Sequence, residues 1–355
     1  MSEPNVLRAA VVGAGYWGPN LARNFATSDR WELAAVCDLD AGRAARVARA
    51  SGGADVETSL DELLARDDVD AVAIATPARS HHAITMAALR AGKHVVVEKP
   101  IADSAALADE MVAEAEARGL VLMTDHTFCY TPAVRKIREL VEAGELGDLL
   151  YIDSVRINLG LIQPDVDVFW DLAPHDLSIV DFVLPGGLRP VSVAAHGGDP
   201  LGTGKACVGY LFMPLESGAV VNVHVNWLSP TKIRRITIGG SKRTLVWDDL
   251  NPQQRLSVYD RGVDYEQIVA DGEERRAATV SYRLGDTWSP ALPEREALGQ
   301  MVTELADAIG EARAPLTDGR AGRRVLGVLE AASSSLAAGG TAVTPYLERE
   351  LEISA

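Results

Sequence analysis

Cysteine is scarce in this chain of 355 residues, basic residues are outnumbered, and no apolar stretch is long. The three cysteines, Cys37, Cys129 and Cys207, lie far apart and make no CxxC pair. That pattern excludes a disulfide framework and points to free thiols in a reducing compartment. The seven histidines are scattered without an HxxxH pair, so no metal site is expected. Lys and Arg total 34 against 50 Asp and Glu, a net charge of −16. A surface of that sign repels polyanions, and nucleic-acid binding is not expected. The one basic cluster, Lys232, Arg234, Arg235, Lys242 and Arg243, is short and sits in strand-like sequence. No apolar run approaches the roughly 20 residues of a membrane helix. The first residues carry neither the basic region nor the apolar block of a signal peptide. The expectation is a cytoplasmic protein that binds neither nucleic acid nor membrane.

What is present is a strand–helix alternation. At 47% hydrophobic, the chain has enough apolar residues for two cores. Strands are expected at 7–13, 31–38, 71–76, 94–98 and 120–130. Between them lie helices at 17–27, 41–50, 59–66, 80–91 and 104–118, the third opened by Ser59 with Glu62 as a capping box. This alternation predicts an α/β Rossmann domain, a doubly wound parallel sheet, over 1–130. After a helix at 132–144, a strand at 148–158 and a helix at 171–183, the pattern changes. From 189 to 270 short β-branched runs alternate with turns. That predicts an α+β second domain over 131–355 with an open-faced, mainly antiparallel sheet. Residues 271–292 read as loop, 293–312 and 320–337 as helices that can pack back on the first domain, and the end from Thr344 as an extended tail.

The first strand runs into Gly13-Ala14-Gly15-Tyr16-Trp17-Gly18. In a GxGxxG turn between strand and helix, Gly13 permits the tight turn, Gly15 lets backbone approach a pyrophosphate, and Gly18 allows close helix–strand packing. The helix N-terminus supplies free N–H groups. Asp38 ends the second strand, 20 residues past Gly18, where a carboxylate binds an adenosine ribose and repels a 2′-phosphate. The expected cofactor is NAD, with NADP disfavoured, although Arg43 is near enough to offset Asp38. Thr76 and Pro77 end the strand at 71–76 at the ligand-binding edge, and His81 follows in the next helix.

The strand at 94–98 ends in Glu98-Lys99-Pro100. An ammonium at the end of a buried strand persists only if something pairs with it or uses it. Asp171 and His175 sit four residues apart, one face of a helix. His175 has the pKa range of a general base. Alternatively, Asp171 is only an N-cap, because Pro174 lies so close behind it, and His175 is a core residue.

Together the fingerprint, Thr76-Pro77-x-x-x-His81, Gly92-Lys93-His94-Val95-x-x-Glu98-Lys99-Pro100 and Asp171-x-x-x-His175-Asp176 resemble the glucose–fructose oxidoreductase, inositol dehydrogenase and rhizopine catabolism family (Gfo/Idh/MocA). The likeness runs from residue 7 to about 250. It implies NAD(P)-linked oxidation or reduction of a sugar or cyclitol carbon, in a homodimer or homotetramer packed through the second sheet. It gives Lys99 contact with both nicotinamide ribose and the reacting oxygen, and sets Asp171 and His175 against the nicotinamide. The cofactor set becomes Gly13, Gly15, Tyr16, Trp17, Gly18, Asp38, Thr76, Pro77, His81, Glu98 and Lys99. Substrate candidates are His126, Tyr130, Arg156, Asn158 and Trp170. The Trp-Asp-Leu-Ala-Pro-His-Asp run at 170–176 resembles relatives acting on nucleotide-linked sugars. An inositol, cyclitol or free-sugar dehydrogenase shares the same chemistry. A non-catalytic dinucleotide sensor would lack Lys99 or His175.

Overall fold

The apolar runs of the first third are buried on both faces, as a parallel sheet covered by helices requires. In the computed structural model, which describes residues 6–163, 165–268 and 277–346, this half contains strands β1 (Leu7–Val12), β2 (Trp31–Cys37), β3 (Asp55–Glu57), β4 (Ala71–Ile74), β5 (His94–Glu98) and β6 (Leu122–Asp125). Helices α1 (Gly18–Thr27), α2 (Ala41–Ala50), α3 (Leu60–Leu64), α4 (His81–Arg90) and α5 (Ala105–Arg118) connect them. The six strands are parallel, in the order β3-β2-β1-β4-β5-β6. Ser59 caps α3, accepting from the Glu62 amide, as its sequence announces. The short β3 carries too little apolar sequence to be seen beforehand.

A Thr–Pro start gives α6 (Pro132–Glu142), and the chain then enters the second half. There an eight-stranded sheet is built from β7 (Leu149–Leu159), β8 (Ala194–Gly198), β9 (Val208–Pro214), β10 (Val220–Asn226), β11 (Leu228–Gly240), β12 (Thr244–Asp248), β13 (Leu256–Ile268) and β14 (Ala277–Trp288). Its order is β14-β13-β12-β11-β7-β10-β9-β8, antiparallel except where β7 meets β10. Helix α7 (Val168–Val183) covers one face. The chain continues into α8 (Ala297–Gly310) and α9 (Gly319–Ala337).

Three expectations need correction. Residues 120–130 are not one strand. The sheet ends at Asp125, whose carboxylate accepts the Thr127 hydroxyl, and the chain turns through Thr127–Tyr130. Such local side-chain bonds draw the backbone out of a ladder. Within 271–292, Ala277–Trp288 is strand rather than loop, paired along β13. Its apolar members Val280, Tyr282 and Leu284 alternate but stay exposed, so the composition looked like loop. Positions 271–276, like the tail from 347 onward, lie outside the described residues. Finally, α7 starts at Val168 with Asp167 as its cap, the carboxylate accepting from Phe169 and Trp170 amides. Asp171 is therefore not the N-cap.

Helix α9 joins the halves. Arg323, fully buried, donates to Asp109 on α5, whereas the next residue, Arg324, donates to Asp181 on α7 at 2.7 Å. Just ahead of it, Thr317 and Asp318 pair with edge strand β6 and close that edge. Helix α8 packs on α1, and its Val302 carbonyl accepts from the Trp31 indole at 2.7 Å.

Candidate active site

The fingerprint turn is shaped by contacts that exclude side chains at two positions and leave a third open. Gly13 has φ +100°, and a Cβ there would meet the Ala75 carbonyl at 2.6 Å. A Cβ on Gly18 would stand 1.9 Å from the Gly13 oxygen. Gly15 has no atom within 4 Å of its Cβ position. That is the space a pyrophosphate needs. Helix α1 has no side-chain cap; Pro19 carries no N–H and the Asn20 amide bonds the Trp17 carbonyl, which leaves the Gly18 N–H as the donor at this terminus. Asp38 accepts from the Ala14 amide at 2.8 Å, and Arg43 folds back onto its other oxygen at 3.1 Å. Tyr16 is exposed, whereas the Trp17 indole donates to Asp125 at 3.0 Å. These residues fit a dinucleotide, with Asp38 at the ribose and the Gly15 backbone at the phosphates.

The ends of β4, β5 and β6 continue this wall. Thr76 and Pro77 follow β4, and Pro77 caps a short turn, Ala78–Ser80. His81 is buried. Its two ring nitrogens lie 2.8 Å from the carbonyls of Pro100 and Thr76. Expected at the cofactor, it is turned inward between the two carbonyls, and its one N–H when neutral donates to one of them. Burial draws its pKa below the imidazole range against the two carbonyls and Asp103. Glu98 stands beside Asp125 in register. Burial, and then the Asp125 carboxylate, hold the Glu98 pKa well above the usual range. Its Oε1 is buried without a partner.

Lys99 extends from β5 across to α7, and its ammonium meets the Asp171 carbonyl at 3.3 Å. This is one helical turn from His175, in a stretch where Pro174 removes a helix donor. The Asp171 carboxylate does not bond the imidazole; it accepts from the Trp227 indole at 2.9 Å. His175 is partly exposed, and its ring makes no hydrogen bond to any described residue. Its edge meets the Phe128 ring, with centroids 5.1 Å apart. Desolvation is the largest cause lowering its pKa well below 6.5, followed by electrostatic repulsion from Lys99 and Arg156, and then from His126 and Arg234. The imidazole is therefore neutral at neutral pH and able to accept a proton.

The substrate candidates separate. His126 is 3% exposed with both ring nitrogens buried and unpartnered, and burial pulls its pKa down to about 4. Arg156 is buried, donating to Asp176 at 2.6 Å and stacked 4.6 Å over Phe128, with Nη2 unpartnered. Asn158 lies half-buried two residues further along β7. Trp170 instead braces α7 on α9, its indole donating to Ser333 at 2.9 Å. Tyr130 must be withdrawn from the cleft. It is fully buried, and its hydroxyl pairs with Thr317 at 2.8 Å, so it is a core residue.

Three residues of this region went unpredicted: Phe128, Trp227 and Asp125. Phe128 sits between two residues that sequence did single out. Trp227 closes a strand run. Nothing in sequence signals which indole will meet Asp171. Among the described residues no group of acidic, His or Cys side chains could hold a metal. No described helix is long and apolar enough to cross a membrane.

Comparison with known proteins agrees with this geometry. Residues 7–126 match the NAD-binding Rossmann model of the GFO/IDH/MocA oxidoreductases, and 134–246 match the C-terminal domain model of the same group. UDP-N-acetylglucosamine 3-dehydrogenase of Acidithiobacillus ferrooxidans is 34% identical over 90% of this chain and 94% of its own. A solved structure of that enzyme superposes with TM-score 0.78, covering 94% of this chain and 98% of that one at 31% identity. A dTDP-3,4-didehydro-2,6-dideoxy-α-D-glucose 3-reductase of Streptomyces violaceoruber is 42% identical over 46% of this chain and 50% of its own. GenD2 from gentamicin A biosynthesis, solved with NAD, superposes with TM-score 0.76, covering 95% of each chain at 26% identity.

Proposed function

The chain belongs to the GFO/IDH/MocA oxidoreductase family, and from that premise we propose that it oxidises or reduces a secondary-alcohol carbon of a nucleotide-linked sugar. The reading is of the sugar 3-dehydrogenase or ketosugar reductase type. One observation carries it: Lys99 at the end of β5 reaches the Asp171 carbonyl on α7, one turn from His175. A cation thus reaches within one helical turn of a neutral base at the end of the cofactor wall.

NAD, when bound, supplies the hydride acceptor or donor. In the oxidative direction, His175 takes the hydroxyl proton on an open ring nitrogen. Lys99 holds the same oxygen and stabilises its developing negative charge. In the reductive direction, His175 returns the proton to the carbonyl oxygen. Asp171, fixed through one oxygen by Trp227, keeps the other for a neighbouring sugar hydroxyl. Glu98, whose pKa burial and then the Asp125 carboxylate hold well above the usual range, lines the nicotinamide side.

A panel of UDP- and dTDP-sugars against inositols and free sugars, read by NADH absorbance, tests the reading. Nucleotide sugars are expected to lead in kcat/KM. Preference for inositols would move the reading to a cyclitol dehydrogenase, and no turnover of any substrate would overturn it. We also place the enzyme in the cytoplasm, in accord with its three free, buried cysteines. We assign it a homodimer or homotetramer through the open sheet face, where Tyr210 and Phe212 are exposed. Light scattering at micromolar concentration should give a multiple of the chain mass, and a monomer would refute that assembly.

A further inference from the structure

Arg156 and Arg234 stand directly opposite each other on the antiparallel pair β7 and β11. Like charges in that position repel, so the arrangement costs stability unless it is compensated or used. Compensation is partial. Asp176 takes the Arg156 Nε, and Asp249 takes the Arg234 Nη1. Both guanidiniums lie over the ring of Phe128, at 4.6 and 4.8 Å, and the same ring touches His175. Arg156 Nη2 and Arg234 Nε are buried without partners. Arg234 nonetheless keeps 24% of its side chain exposed.

The neighbouring basic residues differ. Arg235 pairs with Asp248 and Arg243 with Glu145. Lys232 is exposed on the bulge of β11 between Leu228 and Ile233 and makes no ion pair with a described residue. A cationic stretch beside the reacting groups is therefore set into a chain of net charge −16. Such a local field draws anions to one place. The guanidinium fork suits phosphate oxygens.

We propose that Arg234, backed by Arg156 and with Lys232 at the lip, is the subsite for the diphosphate of the nucleotide-linked substrate. This rests on the function proposed above and adds the residues that select it. Phe128 fixes the spacing. A sugar whose reacting carbon lies at His175 carries its anomeric diphosphate about one ring-width away, and the Phe128 ring meets His175 and lies under both guanidiniums.

The test uses the NAD-bound enzyme, so that the cofactor's own phosphate site is filled. UDP is titrated by calorimetry, with inorganic pyrophosphate as a second arm to separate the diphosphate from the nucleoside. Wild type is expected to bind UDP, and Arg234→Met to weaken it by about 30-fold (~2 kcal/mol). The KM for the sugar nucleotide should rise similarly, with kcat changed less than about threefold. Arg234→Lys keeps charge without the fork and should fall between. Lys232→Ala should cost about threefold. Asp249→Asn, which leaves Arg234 in place, should bind UDP at least as tightly as wild type. A merely structural role for Arg234 would lower kcat and melting temperature together, and would overturn the proposal. Unchanged UDP affinity in both Arg234→Met and Arg234→Lys would also overturn it, even with nucleotide sugars turned over. UDP binding lost in Arg234→Met, in an enzyme that turns over no nucleotide sugar, would uphold the subsite and remove the substrate reading.

Discussion

The two walls of the cleft are built on opposite principles. The cofactor wall is mostly backbone: glycine turns, strand ends, an uncapped helix N-terminus and the two carbonyls that flank His81. The substrate wall proposed above is mostly side chain, brought from α7, β7, β11 and the turn after β6. Backbone devices tolerate few residue types, so they leave motifs. Side-chain walls can be filled in many ways, and this freedom is where relatives named for different sugars can diverge while sharing one Rossmann frame.

The sharpest way to break the comparison is to remove the groups that meet across it. Lys99→Met and His175→Asn should each lower kcat roughly 10²–10⁴-fold, while NAD affinity measured by fluorescence moves only a few-fold. A loss of NAD binding equal to the loss of kcat in His175→Asn would put that residue on the cofactor wall instead.

Within the fingerprint the comparison can be sharpened at two glycines. Gly18→Ala drives a Cβ into the Gly13 carbonyl and should cost about 1–3 kcal/mol of stability. Gly15→Ala meets open space, so its melting temperature should match wild type while NAD affinity falls at least about tenfold. Equal melting temperatures for the two variants would contradict the packing described here.

Electrostatics gives a smaller effect. Because the folded pKa of His175 lies below 6.5, the base is ready throughout neutral pH, and kcat/KM should decline only as pH falls through that lowered value. Lys99 is the largest charge pressing it down. In Lys99→Met the His175 titration, followed by NMR, should rise toward 6.5. A fall would show that the two groups do not face each other.

A further effect is on stability in acid, away from the chemistry of either wall. His126 is neutral in the fold, with a pKa of about 4 against 6.5 for an unfolded histidine. Between those values the unfolded chain binds more protons, so acid weakens the fold as pH drops from about 6.5 toward 4. His126→Asn should remove a part of that slope on the order of 3 kcal/mol, seen by urea denaturation at neutral and acid pH. Parallel slopes in both proteins would mean that water reaches the ring.

The legibility of the sequence follows the same division. Gly13, Gly15, Gly18 and Asp38 announced their geometry, because each answers a backbone demand. Lys99 could be singled out as a charge misplaced on an apolar strand, and a parallel sheet covered by helices followed from alternation. Tyr130 was misread, because the chain turns at Asp125 and carries it into the core. Asp171 was ambiguous until Asp167 was seen to take the cap. Arg234 lay in a recognised basic cluster, but its register opposite Arg156 depends on a bulge that no local pattern declares. β14 was missed because a ribbon exposed on both faces has the composition of a loop.

Helix α9, with neighbouring arginines holding α5 on one side and α7 on the other, bears on how the protein is made. It leaves the ribosome after every element it grips. The Rossmann half can pair its strands early, but the edge of β6 stays uncovered until Thr317 and Asp318 arrive. During synthesis the two walls are present without being aligned, and the nascent enzyme can hold its cofactor motif before it has an active site. Assembly of the cleft is thereby a late event in translation, and truncation anywhere before α9 should yield chains that are inactive and prone to aggregate at that open edge.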